Sequence, residues 1–130
     1  HSRFIFTPEV LTYLQKGGRI GGAAALLGTF LQIKPILTVS KDGKTDVFTK
    51  VRTKKKAVSK LIDILLEDIK SPGNLEELIV HHINCEEEGL ALGSTLEEKL
   101  HKPIRIQSIG PVIGLHVGPG SIGIAYHYKD

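Results

Sequence analysis

Apolar positions recur along the chain with two periods, and the switches between the periods divide it into elements. Val10, Leu11 and Leu14 follow Thr7, Pro8 and Glu9, which offer a hydroxyl N-cap, a proline at the first helical position and a carboxylate near the positive dipole end. Gly17 and Gly18 stop that run, so the spacing predicts a short helix over 8–16. Residues 21–31 are nearly uncharged and apolar all round, so as a second helix they must be buried on every side or face a ligand. Residues 35–40 and 45–51 read as a β-hairpin about Asp42 and Gly43. Thr53 then caps a long helix whose Ala57, Val58, Leu61, Ile62, Leu65 and Ile69 make one apolar stripe, ended by Ser71, Pro72, Gly73 and Asn74. A β-branched strand is expected over 78–83 and an amphipathic helix over 86–100, carrying Leu90, Leu92, Leu96 and Leu100. An alternating strand over 103–109, a short turn or helix over 112–117 and a closing strand over 122–128 complete the pattern.

This order contains one strand–helix–strand unit over 78–109 and an antiparallel hairpin before it. It predicts an α/β fold, a two-layer sandwich of a mixed β-sheet with helices packed mainly on one face.

The chain has 130 residues, 41% apolar and 24% charged, enough for one folded domain without disulfides and outside the range of disordered composition. No apolar run nears the roughly eighteen residues of a membrane span. The sequence opens His1-Ser2 and contains no Met, which reads as a cloning scar over 1–2 ahead of a domain over 3–130 that is a piece of a longer protein. A lone Cys85, without zinc-type Cys/His spacing, points to the reducing cytoplasm and to no metal site, and the adjacent His81 and His82 would face opposite sides of a strand. The net charge of +3 permits nucleic acid as a partner, but Arg52, Lys54, Lys55, Lys56 and Lys60 have no interleaved aromatics to stack bases. That cluster reads either as a solvated helix start or as a surface for an acidic protein.

Two loci are unusual. Gly17-Gly18-Arg19-Ile20-Gly21-Gly22 has phosphate-loop-like glycines, yet it follows a predicted helix and lacks a terminal Gly-Lys-Ser/Thr, so neither nucleotide fingerprint is met. Free N–H groups of Gly21 and Gly22 beside the Arg19 guanidinium nevertheless favour a carboxylate or phosphate. His116-Val117-Gly118-Pro119-Gly120-Ser121 is the other, readable on its own as a structural turn with a satisfied histidine. No spacing offers a nucleophile, a base and oxyanion donors as a set, so no catalytic residue is assigned.

The stretch from Tyr13 through Arg19, Ile20, Gly21 and Gly22 to Gly28, with Ile33, Lys34, Pro35, Ile36 and Leu37, resembles the C-terminal domain of DegV-family proteins. So does Ile109-Gly110-Pro111-Val112-Ile113-Gly114-Leu115-His116-Val117-Gly118-Pro119-Gly120, and Val51-Arg52-Thr53-Lys54 fits the same family's helix start. The resemblance implies the EDD-type fold and a bacterial, non-catalytic carrier whose two domains clasp one long-chain fatty acid, with no cofactor. It further implies that hydroxyl ligands for the carboxylate come from an N-terminal domain absent here, and that a separate ATP-binding kinase subunit phosphorylates the bound acid. On this reading Arg19, Gly21, Gly22, His116, Gly118, Gly120 and Ser121 form the head-group mouth. Ile20, Ala23, Ala24, Leu26, Leu27, Phe30, Leu31, Ile113 and Leu115 wall the acyl chain, and Arg19, Arg52 and His116 face the kinase. Two other classes stand beside it: a small-molecule enzyme using Arg19 and His116 at an anion site, and a nucleic-acid module using the cations from Lys54 to Lys60.

Overall fold

The computed structural model describes residues 1–40, 42–108 and 117–129. Its strands are β1 (Ser2–Thr7), β2 (Lys34–Val39), β3 (Thr45–Val51), β4 (Leu75–His82), β5 (Arg105–Ser108) and β6 (Ile122–Tyr128), and its helices α1 (Thr12–Lys16), α2 (Lys54–Ile69) and α3 (Glu86–Leu100). The strands form one mixed sheet in the order β3-β2-β1-β6-β4-β5, in which β4 and β5 run parallel and the other pairings are antiparallel. The α/β class, the hairpin and the β4–α3–β5 unit are as the sequence pattern predicts.

Alternation along each strand sends side chains to two faces. Ile5, Ile36, Val80, Ile122, Ile124 and Tyr126 meet Ala57, Leu61, Leu65 and Ile69 of α2 and Leu92, Leu96 and Leu100 of α3 in the larger core. Their neighbours Phe6 and Leu37 point the other way, into a smaller cluster with Leu11, Leu14, Ala23, Leu26 and Val117. Helix α2 starts as expected, the Thr53 hydroxyl accepting from Lys56 N at 3.1 Å. It ends where Asn74 Nδ2 donates to Ile69 O at 2.8 Å. Helix α3 lies close to the sheet because Gly89 and Gly93, one turn apart, leave room for the His82 ring and the Ile106 side chain.

Four expectations are corrected. A strand that the apolar spacing does not reveal precedes the first helix: β1 lies at the centre of the sheet, and Ser2 pairs with His127 in its ladder. Thr7 therefore belongs to β1, opposite Ile122, and does not cap a helix; α1 begins only at Thr12, with Leu11 at its N-cap and no side-chain cap. Its stop is as expected, Arg19 N reaching back to Leu14 O at 2.9 Å around Gly18 at φ 70°. Residues 21–31 are not one helix: a 3-10 segment, Gly21–Leu26, gives way to turns over 27–32. Gly21 opens that segment at φ 49°, and a side chain there would strike Thr45 O. Finally β4 begins earlier than residue 78 and β5 begins at Arg105, later than residue 103, while residue 109 lies outside the described residues. Of the turn expected over 112–117, residues 112–116 lie outside the described residues.

Leu61 and Leu65 are fully buried, whereas Leu31 is 93% exposed. Leu65→Ala should cost about 2–5 kcal/mol in urea unfolding. Leu31→Ala should stay within about 0.5 kcal/mol; similar losses for both would contradict the assigned core.

Candidate functional site

The two sheet faces are covered unequally. The larger core lies under α2 and α3, while α1 and the 3-10 segment pack over Phe6 and Leu37 on the other side. On that second face the registers align Phe4, Ala125 and Ile79 in one row and Phe6, Gly123 and His81 in the next. A trough of about 500 Å³ runs there, floored by Phe4, Val39, Ile79 and Ala125, with Ser2, Ser40, Glu77 and His127 among its polar lining. Phe4 also borders a narrow cleft with Phe6, His81, Ile83, Val117 and Gly123. Apolar spacing alone does not reveal this floor, because Thr7-Pro8-Glu9 imitates a helix start and hides β1. The available signal was that Ile79 and Ile83 alternate with Leu78 and Val80, so β4 is apolar on both faces.

The residues singled out as an acyl-chain wall divide into two groups. Ala23 and Leu26 are buried, with Ile20 and Phe30 packed against the same cluster, so these four serve the domain's own core. Ala24 is exposed, Leu27 is 42% exposed and Leu31 is exposed almost fully. Ile113 and Leu115 lie outside the described residues, as does His116.

The mouth residues also separate. Arg19 O accepts from Thr45 N at 2.8 Å and Ile20 O from Thr45 Oγ1 at 2.7 Å, which fixes this segment on the start of β3. The exposed Arg19 guanidinium lies against Gly43, a residue that also lines the trough. Gly21 and Gly22 pack on Thr45 and Asp46, and the Asp46 carboxylate lies against Gly22, so an anion approaching there meets like charge. Arg52 follows the far end of β3, roughly 20 Å from the Arg19 anchor by strand rise, so the structure does not bring the two arginines together.

Gly118, Gly120 and Ser121 form a tight turn before β6. Gly118 has φ 87° beneath the Tyr13 ring and Gly120 has φ 85° beside Glu9, positions that a Cβ would obstruct. Gly120 N donates to Ile83 O at 2.7 Å, and the buried Ser121 hydroxyl donates to Val117 O at 3.0 Å, so its proton is already committed. Lys54, part of the basic cluster, is ion-paired with Glu9 and Glu88, which leaves Arg52, Lys55 and Lys56 as the exposed cations there.

The two adjacent histidines do face opposite ways. His82 is buried against Gly89 of α3, and His81 stands edge-on to Phe4 at 5.9 Å between centroids. Burial lowers the His81 pKa below the usual histidine value, and its Nδ1 is buried without a partner. Burial also pushes the Cys85 thiol up, so it is a poor nucleophile. Among the described residues no group of three or more His, Cys, Asp or Glu is placed to hold a metal ion, and no helix is long and apolar enough to cross a membrane.

With this geometry in view, a family model described as "Uncharacterised protein, DegV family" matches residues 1–129. A DegV domain-containing protein of Clostridium acetobutylicum is 56% identical over 97% of this chain and 44% of its own length. The crystal structure of DegV, a fatty acid binding protein from Bacillus subtilis, superposes with a TM-score of 0.79 at 36% identity, over 98% of this chain and 45% of that one. That of a stearic acid-binding protein from Eubacterium ventriosum gives 0.78 at 29% identity, over 98% and 45%. The chain thus spans less than half the length of the proteins it matches.

A histidine whose folded pKa is depressed binds fewer protons folded than unfolded, so it destabilises as pH falls below the unfolded value of about 6.5. Between pH 7.5 and 5.0 the wild type should therefore lose more thermal stability than His81→Phe. Parallel losses would show that His81 ionises freely in the fold.

Proposed function

The chain belongs to the DegV family, and from that premise we propose that it forms one wall and part of the mouth of a tunnel for a long-chain fatty acid. The observation that carries this reading is the half-covered sheet face, with its trough of about 500 Å³ over Phe4, Val39, Ile79 and Ala125. Ala24, Leu27 and Leu31, exposed along residues 24–31, add apolar surface that the described residues leave uncovered. Fatty acid binding by the B. subtilis and E. ventriosum relatives supports the same ligand.

Burying a sixteen-carbon chain at about 0.8 kcal/mol per CH₂ gives roughly 10 kcal/mol before the costs of association. Such a gain needs apolar walls on both sides of the chain. In this proposal residues 3–130 are one such wall, the second belongs to a preceding domain of the same polypeptide, and that domain supplies hydroxyl ligands to the carboxylate. Arg19 and His116, with the turn at Gly118, Gly120 and Ser121, contribute to the mouth. The protein itself performs no chemistry: as a cytoplasmic carrier it presents the carboxylate to an ATP-binding kinase subunit, which docks over Arg19, Arg52 and His116 and forms the acyl phosphate. Arg52 is exposed near the exposed Lys55 and Lys56, which suits an acidic docking surface.

Lipid extraction and mass spectrometry of the complete polypeptide should yield a long-chain fatty acid in near one-to-one ratio. The 130-residue chain alone should bind palmitate roughly a thousandfold more weakly, since half the apolar contact is gone. Tight monomeric binding by this chain would contradict the shared tunnel. Arg52→Glu and Arg19→Glu in the complete protein should slow acyl phosphate formation at least tenfold (about 1.4 kcal/mol) with lipid content unchanged; unaltered kinetics would remove the docking role.

A further inference from the structure

We propose that Lys54 is a positioning residue, an ionic clamp that holds the Gly118–Gly120 turn in place and thereby slows ligand escape through the mouth. The inference rests on the fatty-acid reading above and adds a residue to it.

Lys54 is the first residue of α2, where the helix dipole disfavours a cation, and no acidic residue stands in that first turn to offset it. Its side chain instead turns to three acceptors. Nζ donates to Glu9 Oε2 at 2.5 Å and to Gly120 O at 2.7 Å, and lies 3.2 Å from Glu88 Oε2. Two of the three N–H groups of the ammonium are thus committed to Glu9 and Gly120, and Glu88 adds an ion pair. They come from separate parts of the chain: the bend between β1 and α1, the turn before β6, and the first turn of α3. Burial opposes the ammonium, but the hydrogen bonds to Glu9 and Glu88 outweigh it, so the Lys54 pKa lies above the usual lysine value.

What this clamp holds is the turn that follows His116 in the chain. Gly120 N already bonds Ile83 O at 2.7 Å, Ile83 N bonds Ser121 O at 3.0 Å, and Cys85 Sγ lies 3.4 Å from the same Ser121 carbonyl. Those bonds fix the turn to the end of β4; the Lys54 bond to Gly120 O ties it to the α2 and α3 ends. Gly120, at φ 85° against the Glu9 side chain, lets the carbonyl reach Nζ with no Cβ between. Its neighbour Val117 is buried beside Phe6 at the cleft. A loosened turn would therefore disturb one end of the sheet face assigned to the ligand.

The test uses the full-length polypeptide with Lys54→Met, Lys54→Arg and, as a comparator, Leu100→Ala in the larger core. Hydrogen exchange is followed at the Gly120 and Ile83 amides, and release of a fluorescent palmitate analogue is timed by dilution. Lys54→Met should speed both exchange and release at least about tenfold, as expected for loss of a charge-assisted, partly buried bond. Lys54→Arg should restore most of both, and Leu100→Ala should lower the melting temperature without moving either. Unchanged exchange in Lys54→Met overturns the clamp; raised exchange with unchanged release overturns its role in ligand retention. If the wild type binds no analogue, the fatty-acid reading falls and takes the retention role with it, while the exchange arm still decides the clamp.

Discussion

The structure depends on the ladder between β1 and β6, which pairs six successive positions from Ser2 with His127 to Thr7 with Ile122. It places two strands from opposite ends of the chain at the centre of the sheet. Its alternation then sets the distribution of apolar surface. Ile5, Ile122, Ile124 and Tyr126 go to the face that α2 and α3 close, and Phe4, Phe6, Gly123 and Ala125 to the other. The two long helices are used up on the first face. Among the described residues only the short α1 and a six-residue 3-10 segment pack on the second, and they reach as far as Phe6 and Leu37. The trough over Phe4, Ile79 and Ala125 follows from that shortage of covering helix.

The segments beside the trough are fixed by polar contacts where packing is thin. Thr45 holds Arg19 and Ile20 by backbone and hydroxyl bonds, so the 3-10 segment cannot slide along β3. On the helical face, Arg3 Nε lies 2.7 Å from Asp68 Oδ2, and the Tyr126 hydroxyl donates to the same oxygen at 2.5 Å. Burial, helped by the Asp68 carboxylate, pushes the Tyr126 pKa well up and keeps the phenol protonated as a donor. Strand order in the sheet is thus reinforced from α2, through a side chain of β1 and another of β6.

Most of the fold was legible because its signals are local. The α2 stripe, the Asp42-Gly43 turn and the leucines of α3 follow from spacing and turn chemistry alone. β1 was not, because Thr7-Pro8-Glu9 imitates a helix start and because the evidence that residues 2–7 form a strand lies in a partner more than a hundred residues away. The candidate site was less legible for a related reason. Apolar composition over 21–31 marked the right region, but whether Leu26 or Leu27 faces inward depends on where the 3-10 segment ends and turns begin. Leu26 proved buried and Leu27 exposed. The trough floor is written in four strands at once, and no single window of sequence contains it.

Affinity and orientation of a bound acid then have different sources. The glycine pair after Arg19 packs against Thr45 and Asp46, and the Arg19 guanidinium, beside the trough-lining Gly43, is exposed to solvent. An exposed ion pair contributes about 0–1 kcal/mol. That is small beside the roughly 10 kcal/mol of a buried acyl chain. In the proposed tunnel, therefore, hydrocarbon contact with the sheet face sets how tightly the acid is held, and the charge at the mouth sets which end points outward. Desolvation by a second wall would strengthen that charge, which in the proposed tunnel couples closure to orientation of the carboxylate.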